Sequence, residues 1–267
     1  CDWSSDVCSS DLGGSTGSTE INSAYSYGGT NTADNSGSIT YLKLEATGAR
    51  SSANVEHNGL TLNGVGNGTK IENVFIPDGA DDGIEFFGGS VNVKNLLVVN
   101  SDDDMFDMTQ GWNGTLENAY GIWEAGYSSS ESDPRGVEAD GNLDGKYPDQ
   151  TGQSDFTIKN MTIDLRLAPI AKDHADFAKK SMQDVLKIRR GAKATITNAL
   201  VKGTGTAQDV IDLDGANAGT SISLTNQLTS VTSADHIKPT TGFPNVKIEA
   251  GNTGCPTDIF AWTGYKF

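Results

Sequence analysis

Apolar and polar residues alternate along this chain in short runs, and the runs return in a fixed order. The stretch "IENVFIPDGADDGIEFFGG" at 71–89 is followed by "VNVKNLLVVNSDDDMFDMTQG" at 91–111. At an offset of 22, Ile71 meets Val93, Asn73 meets Asn95, Val74 meets Leu96 and Ile76 meets Val98. Asp81 and Asp82 meet Asp103 and Asp104, Glu85 meets Asp107, and Gly89 meets Gly111, with no gap. A period of two over so few residues predicts short strands. A period near 22 predicts that the strands are stacked as coils of a solenoid.

The pattern continues with insertions. "LENAYG" at 116 and "RGVEADG" at 135 make the next unit, then "FTIKNMTI" at 156 with "DVLKIRRG" at 184, then "ATITNALV" at 194 with "DVIDLDG" at 209. Upstream, "ITYLKLE" at 39 and "NGLTLNG" at 58 fit, with Tyr41 in the Asn place. Downstream, "SLTNQLT" at 223 and "TDIFAWTG" at 257 close the series less cleanly. Each unit reads apolar-x-Asn, apolar-x-apolar, a variable loop, apolar-x-apolar, Gly. This predicts an all-β, parallel β-helix of about seven to eight coils, with three short strands and one elastic loop per coil. The Asn residues at 73, 95, 118, 160, 198 and 226 fall between two strands, where Asn tolerates a left-handed turn and can bond to its copy in the next coil. A leucine-rich repeat would need a longer leucine frame, and a nonapeptide calcium roll a 9-residue period; neither is present.

Residues 2–12 resemble a sequencing-library adaptor translated in one frame, so residues 1–12 are set aside as non-native. Residues 13–37 are then expected to be an N-terminal fragment or partial coil, and 38–267 a single β-helix domain. Any signal or anchoring segment is expected to be missing. Without Asp2, Asp6 and Asp11 the chain carries 32 acidic against 19 basic residues, a net charge of −13. Such a surface repels nucleic acid and anionic membrane and favours cations. No apolar run approaches membrane-spanning length. Cys255 has no internal partner outside the set-aside stretch; its partner was lost, or it is a plain buried thiol.

The motifs "DNSGSITYLKLE", "NGLTLNGVGNGT", "DDGIEFFGGSVNVKNLLV", "DDDMFD" and "DPRGVEADGN" resemble those of right-handed parallel β-helix proteins that bacteria secrete or anchor at the surface, many of them lipoproteins. The resemblance covers residues 34–142 and extends more weakly to the end. It implies the fold and an extracellular or cell-surface address, and it supplies no reaction.

In β-helix enzymes of the pectate-lyase kind, the polysaccharide groove lies on the strand after the elastic loop, an analogy of fold alone. The equivalent outward column here is Thr61, Glu85, Asp107, Glu138, Lys187, Asp212, beside Asn63, Phe87, Thr109, Asp140, Arg189, Asp214. Carboxylates about 5 Å apart repel by roughly 3 kcal/mol at an effective dielectric near 20. Glu85, Asp107 and Glu138 must therefore splay into water, take up protons, or share a cation. An oxygen-only cluster suits Ca²⁺. A lyase-like site would place Ca²⁺ on Glu138, Asp140, Asp212 and Asp214, with Lys187 or Arg189 assisting proton abstraction. A solvated ladder of cross-coil ion pairs explains the same column without chemistry.

Asp140, Asn142, Asp144 and Gly145 match the first half of an EF-type calcium loop, but Thr151 stands where that loop needs Glu. An Asp/Asn/Gly turn needs no metal. Asp82, Asp104, Asp184 and Asp209 precede strands, with Asn58 and Arg135 in the same column, and a role capping backbone N–H groups is the favoured reading. Arg135 is expected to pair with Asp104 or Asp184. Phe87, Trp112, Trp123 and Tyr127 lie near this face, and the first two are candidate platforms for sugars, alongside Glu85 and Asp107. Residues 168–183 have helical spacing. Zinc spacing, a nucleophile elbow and a phosphate loop are absent. The sequence thus predicts a surface protein presenting an acidic, calcium-assisted face to a glycan or a partner protein. A uronate lyase or hydrolase and a structural stalk are the alternatives.

Overall fold

The repeats fold into two kinds of strand, and the Asn positions decide why. In the computed structural model, which describes residues 11–20, 22–48, 57–230 and 237–267, the chain is a right-handed parallel β-helix. Its first element is a hairpin of β1 (Asp11–Ser18) and β2 (Ser26–Thr30), antiparallel and joined to neither parallel sheet. The segment expected to be an N-terminal fragment or partial coil thus adds no strand to either parallel sheet over this hairpin, whose first strand begins inside the adaptor-like stretch.

The long strands are β3 (Ser38–Lys43), β5 (Lys70–Pro77), β7 (Asn92–Val99), β9 (Thr115–Trp123), β11 (Asp155–Leu165), β13 (Lys193–Gly203), β15 (Ser221–Asn226) and β17 (Val246–Ile248). They stack in chain order as one eight-stranded sheet. The short strands are β4 (Leu60–Asn63), β6 (Ile84–Phe87), β8 (Phe106–Thr109), β10 (Val137–Asp140), β12 (Ser181–Arg189), β14 (Thr206–Asp212) and β16 (Ile237–Lys238). They form the facing seven-stranded sheet. Each coil contributes one strand to each, which gives seven coils and the start of an eighth. Ile71 pairs with Val93 and Glu85 with Asp107, as the 22-residue offset requires.

Three strands per coil were expected, and two are found, because the Asn does not end its strand. Asn73, Asn95, Asn118, Asn160 and Asn198 sit at φ between 53° and 59°, so the long strand bends there and continues. Their amides form a ladder: Asn95 donates to Asn73 at 2.8 Å, Asn118 to Asn95 at 2.8 Å, Asn160 to Asn118 at 2.9 Å and Asn198 to Asn160 at 2.8 Å. Each bond satisfies buried polar atoms and is worth about 1 kcal/mol net. Tyr41 takes the same turn at φ 56°. Asn226 does not belong to the ladder: the register slips between β13 and β15, and Asn226 pairs with Val201.

Inward side chains fill one apolar column. Trp112 is fully buried between Phe86 and Phe156, with ring centroids 4.1 and 5.6 Å away, and its indole N–H donates to the Val91 carbonyl. Trp112 is thus core, not a sugar platform, because the turn after β8 folds it back over the end of the coil. Outward residues Phe75, Leu97, Val99, Tyr120 and Ile122 make a second apolar patch. The segment at 257 does not form a coil. It takes a 3-10 turn, Asp258–Thr263, that buries Phe260 in this patch and brings Trp262 against Tyr41, Tyr265 against Phe75 and Phe267 against Tyr120. Thr253 and Gly254 close the ladder by donating their N–H groups to the Asn198 amide oxygen, at 2.7 and 3.2 Å. Cys255 is a free, buried thiol. The helix expected in 168–183 shrinks to Phe177–Lys180, too short to form a face.

Candidate functional site

On the outward face of the seven-stranded sheet, strand register sets three parallel columns. The first is Thr61, Glu85, Asp107, Glu138, Lys187, Asp212 and Lys238, each the partner of the next. A second, three residues earlier, runs Asn58, Asp82, Asp104, Arg135, Asp184, Asp209. A third holds Phe87, Thr109, Asp140 and Arg189. Gly83 makes the tight entry to β6: a Cβ there would come within 2.6 Å of the Met105 carbonyl. That entry sets Asp82 beside Glu85. The columns point away from the apolar core, yet Glu85, Glu138, Asp140 and Asp212 are buried.

The lower part of the face also holds a carboxylate trio, Asp184, Asp209 and Asp212, but there bases lie among the acids. Arg135 binds Glu138 and lies 2.9 Å from Asp133, 3.6 Å from Asp184 and 3.9 Å from Asp104, so it pairs with both expected partners. Arg189 binds Glu138 and lies 2.9 Å from Asp140, which Arg190 also holds at 2.7 Å. Lys187 and Lys238 hold Asp212 at 2.7 and 3.2 Å, and these contacts lower its pKa against the effect of burial.

The six residues Glu138, Asp140, Asn142, Asp144, Asp212 and Asp214 do not converge. Asp212 is two rungs from Glu138 with Lys187 between them. Asp144 is exposed and pairs with Lys146 at 3.0 Å. The Asn142 oxygen accepts the Tyr147 N–H at 2.9 Å, and its amide donates to Gln153 at 2.9 Å, which makes this stretch a self-satisfied turn. Asp214 lies just beyond β14 and donates its N–H to Asp212 at 2.9 Å.

The upper part is different. One carboxylate oxygen from each of Asp82, Glu85 and Asp107 lies within 4.8 Å of the other two, and Asp81, Asp82 and Asp103 make a second such trio through the shared Asp82. Among the described residues no lysine or arginine forms an ion pair with Asp82, Glu85 or Asp107. Burial raises the pKa of Asp82 well above the carboxylate range, and the charges of Asp107, Asp104 and Glu85 add to it. Burial and Asp107 do the same to Glu85, opposed by the amide of Asn58, which donates to it. Asp107 is pushed up to about 8 by burial and by Asp140, against the pull of Arg189. Among the described residues, buried oxygens here have no donor: Oδ1 of Asp107, Oδ1 of Asp104 in a residue only 3% exposed, and Oδ1 of Asn58. Asp82 also keeps the capping role read from its position, accepting the Asp104 N–H at 2.9 Å.

The strand register matches the expected column from Thr61 to Asp212 and the neighbouring one from Asn63 to Arg189, while Asp214 lies beyond the paired strand. Sequence reasoning missed four participants: Asp82 as a member of the cluster, Arg190, Gln110 and Tyr27. Asp82 was detectable, because the three-residue step puts it in the column beside Glu85 and Asp107. Phe87 is outward but covered by Tyr27 and Leu143. Lys187 and Arg189 are both in place on β12 and both engaged in ion pairs. Burial, with Arg190 and Arg135 nearby, lowers Arg189 to about 10. A shallow groove of about 480 Å³ lies on another face, over β5, β7, β9 and β11. Its charges satisfy one another, Lys70 with Glu72 at 3.0 Å and Lys94 with Glu117 at 3.2 Å, so it is a solvated ladder.

A stacked parallel helix with its outward columns walled by loops defines the pectate-lyase-like class. The chain belongs to the family of pectate-lyase like beta helix domains, which matches residues 7–265. No curated protein and no solved structure matches the chain.

Proposed function

We propose that this β-helix binds an acidic polysaccharide on the outward face of its seven-stranded sheet, through a divalent cation held by Asp82, Glu85 and Asp107. The observation that carries this reading is the trio itself: three carboxylates meet with no base ion-paired to them among the described residues, and acceptor oxygens beside them are buried without donors among those residues. An all-oxygen donor set with the neutral oxygen of Asn58 nearby fits Ca²⁺ better than a softer metal. Bound there, the cation would offset most of the cluster's negative charge and take a uronate carboxylate oxygen into a coordination position the protein leaves open. Family membership supports a polysaccharide as partner in preference to a surface protein. An extracellular or cell-surface address in a bacterium belongs to the same reading. Among the described residues no helix is long and apolar enough to cross a membrane.

The test is calorimetric titration of trigalacturonate with and without Ca²⁺. Binding that needs Ca²⁺ and disappears in Glu85→Gln supports the reading, and Ca²⁺-independent binding or none at all sinks it. A second reading, a uronate lyase, draws on Arg189, whose lowered pKa brings it nearer to proton-accepting range at alkaline pH. It requires unsaturated products at high pH that vanish in Arg189→Ala and Lys187→Ala. A stalk would show neither binding nor turnover.

A further inference from the structure

Tyr27 is the one residue of the N-terminal hairpin whose ring enters the face just described. It is 6% exposed, packs against Phe87 and Leu143, and donates its hydroxyl to the side-chain oxygen of Gln110. The hairpin that carries it is bonded into neither parallel sheet. Beyond Tyr27, the described ties of this segment to the solenoid include two bonds to the Thr32 carbonyl, from the Asn67 N–H and the Ser90 hydroxyl. A ring on an element outside the stacked sheets thus fills a pocket on the solenoid.

The pocket has a feature its neighbours lack. The residue after the third column turns the chain out of the short strand. In three coils it is glycine at positive φ: Gly64 at 60°, Gly88 at 68° and Gly215 at 83°. Gln110 adopts φ 57° at the same place, a left-handed conformation that disfavours any residue bearing a side chain. Arg190 does likewise at φ 51°, and there the side chain holds Asp140 at 2.7 Å. Gln110 holds only Tyr27 by its side chain among the described bonds. A strained residue retained to grip a side chain from outside the solenoid marks a site built to hold something.

We infer that Phe87, Gln110 and Leu143 form a sugar-ring subsite that the chain's own Tyr27 occupies in this structure. A phenol offers a flat apolar face and an edge hydroxyl. A pyranose ring offers the same pair, an apolar C–H face for Phe87 and a hydroxyl for the Gln110 oxygen. Phe87 lies on β6 two residues from Glu85, so a ring held here would adjoin the acidic cluster. If the face takes an acidic glycan, as proposed above, this pocket seats a neighbouring ring of the same chain, and the hairpin competes with it. Leu143 and Gln110 come from different loops, which closes the pocket on two sides.

The experiment is trigalacturonate binding, in Ca²⁺, to the full chain and to Tyr27→Ala, Gln110→Gly and the double variant. Tyr27→Ala should bind about tenfold tighter, the gain expected when a blocking state populated roughly nine-tenths of the time is removed. Gln110→Gly restores the residue its sister coils use, so its melting temperature should not fall. The double variant should lose the gain that Tyr27→Ala makes. Equal affinity in wild type and Tyr27→Ala, with binding in both, overturns the subsite while leaving the glycan reading intact. Equal affinity in Tyr27→Ala and the double variant overturns the role of Gln110. Absence of binding in all four chains overturns the glycan reading and the subsite together. If Tyr27→Ala does not fold, Tyr27→Phe provides the comparison: it keeps the ring and loses the Gln110 bond, and should still bind tighter than wild type.

Discussion

Glu85 on β6 and Asp107 on β8 are partners on adjacent rungs, and one carboxylate oxygen of each lies within 4.8 Å of the other. Two full charges at such a distance would repel by roughly 3 kcal/mol even at an effective dielectric near 20. The pair therefore keeps a proton or takes a cation, and both outcomes can be measured.

The proton gives a pH prediction. Asp107 has a folded pKa of about 8, against about 3.9 when unfolded. Between those values the unfolded chain has released a proton that the folded chain retains. Stability from this group is therefore full below about pH 4 and falls as pH climbs towards 8. In EDTA, the melting temperature should decline across that window. Asp107→Asn should flatten the decline and melt higher than wild type at pH 8; an unchanged slope would refute the shared proton.

The cation gives a linkage prediction. Ca²⁺ at a hundredfold excess over its dissociation constant should stabilise the fold by about 2.7 kcal/mol at neutral pH. Asp82→Asn keeps the acceptor for the Asp104 N–H and should abolish the gain. Asp144→Asn, in the self-satisfied turn, should leave it unchanged. Thermal scans with and without Ca²⁺ on the three chains decide between the two places.

The Asn ladder gives a stability prediction. Asn118 donates to Asn95 and accepts from Asn160 while sitting at φ 59°. Asn118→Ala loses both bonds and strains the turn, for a cost of about 2–4 kcal/mol. Asn118→Gly relieves the strain and loses only the bonds, so it should cost less. Denaturant midpoints at constant slope would show the order.

Two aromatics test the packing. Trp112→Ala and Phe260→Ala each empty a fully buried site and should cost about 3–5 kcal/mol. Only Phe260→Ala should expose the outward patch over Phe75, Leu97 and Tyr120, raising dye binding before global unfolding. Neither should alter glycan affinity below its melting transition.

The sequence was most readable where the repeat is regular. From Ile71 to Gly111 the offset of 22 is also the strand register, so Glu85 over Asp107 followed from it, while Glu138 and Lys187–Asp212 followed from the recurring strand motif across the insertions. It was least readable where residues leave the repeat. Trp112 lies just past a strand, and nothing local says whether such a ring turns inward. Tyr27 lies 60 residues from Phe87, in a segment with no repeat at all.

The sequence by itself determined the coil, its period, its Asn corners and which residues share an outward column, because in a solenoid each residue's neighbours one period away are its spatial neighbours. Only the tertiary structure decided which charges are neutralised and which are left to each other. Arg135, Arg189 and Arg190 reach the lower carboxylates by side-chain length and rotamer, and none ion-pairs with Asp82, Glu85 or Asp107. Burial of the face likewise depends on loops and a hairpin whose placement no periodicity encodes. The physical reason is that backbone stacking repeats with the sequence, whereas desolvation and ion pairing depend on everything that comes to lie over it.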